Sequence, residues 1–306
     1  MLVYTIRRLF QTIPVIIGVT LVVFFMMHLI PGDPAQIIAG ERADEAQVEQ
    51  MRDRLGLNDP YYVQYTRFVT DAAQGDLGNS VRSGRAVSSE IGARFWITVE
   101  LAFYSTLLSI FIGLIAGIIS ATRRNSFLDM FIMIFALFGL SMPNFWLGLM
   151  LIQYFALPID WLPVSGWGSP QQLLLPVITL GTAGAAIIAR MTRSSMLEVI
   201  HQDYIRTARA KGVKERYVIY KHALRNALIP VVTVVGLQFG VLLGGAVLTE
   251  TVFAINGLGR FVVEAIRMRD FPIVQGSVLV LAMLFVFVNF LVDISYRVLN
   301  KRIELD

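Results

Sequence analysis

Six uninterrupted apolar stretches decide what this chain can become: Leu9 to Ile30, Thr98 to Ala121, Leu128 to Leu157, Leu173 to Ala189, Leu228 to Leu248 and Pro272 to Val292. A bilayer's hydrocarbon core takes about 20 residues of helix to cross. The runs are continuously apolar and do not alternate in short pieces, which selects helices over a closed barrel. The fold class is therefore all-α, a polytopic membrane protein with six transmembrane helices. With 56% hydrophobic and 16% charged residues in 306, the composition excludes a soluble globular domain. The first run exceeds a signal-peptide core, and "PGDPAQ" follows it where a small-residue cleavage site belongs, so it is read as an uncleaved span.

Orientation follows from Lys and Arg in short loops. Arg7, Arg8, Arg123, Arg124, Arg190, Arg193, Arg206, Arg209, Lys211, Lys214, Arg216, Lys221, Arg225, Arg297, Lys301 and Arg302 fall on one side, against Arg260, Arg267 and Arg269 on the other. Both termini are expected in the cytoplasm, with residues 31–97 outside. The expected organisation is 1–30 as N-terminal region and first span, 31–97 as an extracytoplasmic loop domain, and 98–306 as a core carrying a cytoplasmic loop at about 190–227. The net charge of +4 is spread along one face of a membrane protein, so no nucleic-acid partner is implied; the partner that composition does imply is the lipid bilayer.

Much chemistry is missing. No glycine is followed by lysine, so there is no phosphate-binding P-loop. The three histidines, His28, His201 and His222, stand too far apart for a helical zinc pair, and the chain has no cysteine. No metal site and no catalytic residue is expected. Ser105, Ser109 and Ser141 lack an activating histidine or lysine within the spans, which disfavours an intramembrane enzyme. Ionisable groups are almost confined to span ends, Glu100 and Asp129 among them, with Asp293 set to pair with Arg297. An ion-coupled carrier is thereby disfavoured, and any transport would draw its energy from another subunit. His28 reads as an interfacial packing residue.

Two glycine patterns point to close helix approach or a pathway lining: Gly113 and Gly117 in "GLIAG", and Gly236, Gly240 and Gly244 on one face of "GLQFGVLLGG". Pro143 is expected to kink the third span. Outside, 43–54 and 60–73 pattern as short helices separated at Gly56.

The basic stretch "DYIRTARAKGVKERYVIYKHALRNALIP" reads as two short amphipathic helices broken at Gly212. Ile200, Tyr204, Ile205 and Ala208 make the first apolar face, with Asp203 as N-cap. Val213, Tyr217, Leu224 and Leu228 make the second. Spacing alone leaves open whether it rests on lipid headgroups or docks a protein.

The wording of that stretch resembles the EAA loop of ATP-binding-cassette importer permeases, in the peptide branch that handles dipeptides, oligopeptides, nickel and glutathione, of the first-permease type. Arg206, Thr207 and Ala208 stand where the general pattern has Glu-Ala-Ala, and Arg225 replaces its proline. "LIPGDP", "LGLNDPYYVQY", "GDLGNS", "ITVEL", "RRNSFLD", "LPVITLG" and "GLGRFVVEAIRMRDFPIVQG" resemble the same branch, with Trp96 and Asn256 standing where it usually has proline. The resemblance implies the type I importer permease fold in a bacterial inner membrane. It implies a homologous second permease, two ATPase subunits and an extracytoplasmic binding protein as partners. ATP and Mg would sit on the partner subunits, and no cofactor on this chain. It also implies that Asp203, Tyr204, Arg206, Thr207, Ala208, Ala210, Lys211 and Gly212 form the ATPase-coupling element, docking by its apolar face, and that short peptides, or else glutathione or nickel chelates, are the cargo. A membrane receptor or scaffold is the non-transporter alternative.

Overall fold

The computed structural model describes residues 2–29, 33–40 and 43–299. Lys301, Arg302, the side chain of Arg297 and the centre of "LIPGDP" lie outside the described residues. The described chain is helical, with one isolated antiparallel bridge between Asn79 and Ala86. In order the helices are α1 (Leu2–Leu29), α2 (Pro34–Ala39), α3 (Glu45–Leu55), α4 (Tyr61–Ala73), α5 (Val87–Thr122), α6 (Phe127–Ser141), α7 (Asn144–Leu151), α8 (Pro170–Ile200), α9 (Asp203–Ala210), α10 (Glu215–Tyr217), α11 (Leu224–Gly245), α12 (Val247–Val252), α13 (Leu258–Met268) and α14 (Phe271–Leu299). π-helical turns follow α7 at Ile152–Ala156 and α10 at Val218–Ala223. Among the described residues five helices are long and apolar enough to cross a membrane, and α6 with the 144–156 segment, bent by 101°, makes a sixth if the bent pair is counted as one span. The helices overrun the apolar windows: α8 continues to Ile200 and α5 begins at Val87. Polar helical turns need not stop where the hydrocarbon does.

Two compact units result, one from residues up to Trp96 with Arg260–Val286, the other from Ile97–Gly259 with the chain from Phe287 on. In the first, the Asp44 carboxylate and Gln47 form a capping box at the start of α3. Gly56 ends α3 at φ +64, a conformation that favours glycine. α4 packs on α1 through a 2.8 Å hydrogen bond between Thr20 and Tyr65. The His28 ring lies beside those of Phe24 and Tyr61, at 4.7 and 5.1 Å, with its Nδ1 3.2 Å from the Phe24 carbonyl and its Nε2 3.3 Å from Gln64 Oε1. Asp270, buried, accepts from Ser80 Oγ at 2.5 Å and from the backbone amides of Val81 and Arg82, which fixes that loop.

The second unit is organised around α8, which packs against α6, α7, α11 and α12. A seam of small residues joins α5 to α8. A side chain at Gly113 would meet Ile188 at 2.6 Å, and one at Gly117 would meet Thr192 Cβ at 2.5 Å and the Ala189 carbonyl at 2.6 Å. The seam is reciprocal, since α8 brings Gly181 and Gly184 against Leu108 and Ser109 of α5. Ser109 Oγ donates to the Gly181 carbonyl at 2.8 Å, a polar tie between backbones this close. The glycines of α11 divide. Gly236 closes on Val292 and Gly240 is buried, whereas Gly244 is exposed with open space around it.

Because backbone atoms flank Gly117, Gly117→Val is expected to destabilise the fold by about 1–3 kcal/mol. Gly244→Ala should leave it unchanged. Thermal unfolding of the detergent-solubilised chain measures both, and equal melting temperatures for Gly117→Val and the parent would refute the seam.

The third span is broken where a kink was expected. Pro143 disfavours helical geometry at the preceding residue, and Met142 is extended (ψ 127). α6 ends at Ser141, Pro143 caps α7, and the chain turns by 101°. α7 then lies on α8 and α12, with Gly148 against Phe253. A fully buried carboxylate, Glu250 of α12, accepts from Thr98 Oγ1 at 2.7 Å, while Thr98 Oγ1 accepts from the Leu258 amide at 2.8 Å. Gly257 and Gly259 let the backbone close over that carboxylate. Glu250 lies two residues past an apolar window, so hydropathy gave no sign of its burial.

Candidate functional site

The segment after α8 is built from its buried face outward. Ile205 and Ala208 of α9 are buried together with Ala121, Met196, Val218, Ala223 and Ala227, and Ile200, Val213 and Leu224 pack against them. The apolar face expected to dock a partner is thus already covered by this chain. The reason lies in the π-turn: an i to i+5 geometry aligns residues five apart, so Val218 and Ala223 both reach the core. Tyr217, expected in the second apolar stripe, is turned out to solvent. The second short helix is also no separate element, because residues 215–244 form one helix running into the fifth span.

What α9 leaves exposed is its polar face: Asp203, Tyr204, Arg206, Thr207, Ala210 and Lys211, followed by Gly212. Asp203 is the first helical residue, and Gln202 occupies the N-cap. The Asp203 carboxylate points to solvent with Arg206 at 3.6 Å. Tyr204 Oη accepts from Asn226 Nδ2 at 2.7 Å, tying α9 to α11. Gly212 ends the helix at φ +74 with nothing within 4 Å, so it is the backbone conformation and not space that calls for glycine. Arg209 donates to Glu215 at 2.7 and 3.1 Å and staples the turn from outside. The result is a short, rigid, charged ridge on an apolar foundation.

Two turns before the end of α8 lies a second polar assembly that hydropathy overlooked. Asp129, at the start of α6, is 4% exposed. It accepts from Arg193 Nε and Nη2 of α8, both at 2.8 Å, from the Asn125 amide at 3.0 Å, and from Ser120 Oγ of α5. Three helices meet at one carboxylate, two turns before α8 hands over to α9. "RRNSFLD" held the signal, but Asp129 read as a span-end charge and Arg193 as one more inside cation. Among the described residues no group of three or more His, Cys, Asp or Glu is placed to hold a metal ion.

Residues 113–305 match the family described as "Binding-protein-dependent transport system inner membrane component", and residues 1–102 match the N-terminal region of such membrane components. The chain is 48% identical over 332 residues to a dipeptide transport system permease protein of Alkalihalophilus pseudofirmus, covering 99% of this chain and 100% of that one. It is 46% identical over 304 residues to a glutathione transport system permease protein of Escherichia coli, covering 99% of each. The methionine ABC transporter MetNI, in an inward-facing conformation, is similar in fold, with a TM-score of 0.59 at 24% identity over 69% of this chain and 96% of that one.

Proposed function

The chain belongs to the family of binding-protein-dependent transport system inner membrane components, and from that membership we propose that it is the membrane-spanning permease subunit of an ATP-driven importer of short peptides. It works beside a homologous second permease, receives cargo from an extracytoplasmic binding protein, and is driven by two ATPase subunits that carry ATP and Mg. The two relatives' names support the cargo class, since glutathione is itself a tripeptide.

Coupling is assigned to the exposed face of α9, through Asp203, Arg206, Thr207, Ala210 and Lys211. Tyr204 and Gly212 hold the ridge in place, and Ala208 belongs to its foundation. The observation that carries this assignment is the burial of Ile205 and Ala208 beneath an exposed charged face. A ridge set on the same core as the ends of α5, α8 and α11 moves with them when pushed. Gly113, Gly117 and Gly236 are assigned to packing, and Pro143 to the break in the third span. Gly240 and Gly244 are left as candidates for a pathway lining, with the conduit itself weakly selective. α9 is placed in the cytoplasm with both termini, on the strength of the basic residues around it.

Reconstitution tests the reading as a whole. Vesicles holding this chain, its second permease and the ATPase subunits should accumulate dipeptide or glutathione only when ATP and a cognate binding protein are both present. A cysteine at Lys214 should label from the cytoplasmic side, and one at Ser169 from outside. ATP-independent uptake, or external labelling at Lys214, would refute it.

A further inference from the structure

A cavity of about 570 Å³ lies among the C-terminal end of α1, the α3–α4 pair and the start of α14, all within the first compact unit. Small-molecule sites occupy about 300–1,000 Å³ and are mostly apolar, with a few placed polar groups. This cavity has that make-up. Met27, Leu57, Phe68, Leu77 and Pro272 stand half-buried around it. On α4, Tyr61, Gln64, Phe68 and Asp71 recur at steps of three and four residues, so one helical face lines the cavity and ends on a carboxylate.

The charge left over on that lining is negative. Both of its guanidinium groups are engaged within the protein, Arg52 with Asp33 at 2.5 Å and Glu49 at 2.9 Å, and Arg67 with Asp59 at 2.7 Å. Asp71 and Asp76 also line the cavity, and neither has an ion-pair partner among the described residues. The turn after α4 brings these two together. The Asp76 amide donates to the Asp71 carbonyl at 2.9 Å, and the Asp76 carboxylate accepts from the Gly78 amide at 2.9 Å.

We infer that this cavity binds an amphipathic primary amine, with its ammonium at Asp71 and Asp76 and its apolar group against Met27, Phe68 and Pro272. Two exposed carboxylates alone hold a bare cation weakly. The apolar wall beside them adds burial, which selects an amine that carries a hydrophobic group. A short peptide with a free N-terminus presents that chemistry, and so does a phosphatidylethanolamine molecule. The site rests on the lining of the cavity and not on the proposed transport, so loss of amine binding and loss of ATP-dependent uptake are separate outcomes.

The test is equilibrium dialysis of radiolabelled phenethylamine against the full chain in detergent micelles. Asp71→Asn/Asp76→Asn should keep the parent's melting temperature, because an amide still accepts from Gly78, and should weaken binding about tenfold. That variant also corrects for partition of the amine into the micelle. Asp71→Glu/Asp76→Glu should retain binding, which separates lost charge from lost shape. Methylamine, which has no ring, should compete at least about tenfold less well than unlabelled phenethylamine, and hydrocinnamate, its anionic counterpart, should not compete. Displacement by phenylalanylalanine but not by its N-acetylated form would identify a free peptide N-terminus as the source of the ammonium. Displacement by short-chain phosphatidylethanolamine but not by phosphatidylglycerol would identify a lipid. Equal phenethylamine binding by the parent and the doubly amidated variant, or equal competition by hydrocinnamate, would overturn the site.

Discussion

Asp129→Ala is expected to lower the stability of the chain by about 3 kcal/mol, near the lower end for breaking a buried ion pair because Arg193 retains some access to water. The carboxylate is 4% exposed and receives four donors, from Arg193 twice, Ser120 and the Asn125 amide. Removing it leaves the guanidinium without its counter-charge and the buried Ser120 hydroxyl without its acceptor. Asp129→Asn should cost less, since an amide still accepts one hydrogen bond. Asp129→Leu/Arg193→Met should recover much of the loss, because replacing both partners removes the unpaired charge. A double-mutant cycle on thermal unfolding gives the coupling. If the costs of Asp129→Leu and Arg193→Met simply add in the double variant, the two residues are independent and the buried pair contributes no coupling.

The chain's class was legible because hydrocarbon imposes a length and a composition that sequence displays directly. Gly212 was legible as a helix end for a similar reason, since one residue type suits a positive φ. The approach of α5 to α8 was half legible: Gly113 and Gly117 announced it, while Gly181 and Gly184 are spaced three apart and escaped a search for the four-residue repeat. What could not be read was which way an amphipathic helix faces. Ile205 and Ala208 pattern equally well for a partner or for the chain's own interior, and only the position of Met196, Val218 and Ala223 decides. The π-turn was hidden as well, because periodicity assumes one residue spacing per turn. Hydropathy windows had a further blind spot for charges that are buried by pairing, which is why Asp129 and Glu250 passed as ordinary polar residues.

Arg206→Glu/Lys211→Glu is expected to abolish most ATP-dependent uptake while leaving the chain folded. Both residues are exposed, Arg206 on α9 and Lys211 at its C-cap, and substitutions at such positions change stability by no more than about 0.5 kcal/mol. Reversing two charges at a docking face sets like charges opposite each other, at a cost of several kcal/mol, so ATPase retention on the purified permease should fall by at least about thirtyfold, an energy of roughly 2 kcal/mol. The contrast with the foundation of the ridge is what makes the result interpretable. Ile205→Ala removes a fully buried side chain and should destabilise the fold by about 2–4 kcal/mol. Ala208→Trp forces a large ring into the same core and should likewise fail by misfolding, so its loss of transport would say nothing about docking. A doubly reversed variant with the parent's melting temperature, no retained ATPase and no uptake places the contact on the polar face of α9. Undiminished uptake and ATPase retention by that same well-folded variant would move the coupling surface elsewhere on the chain.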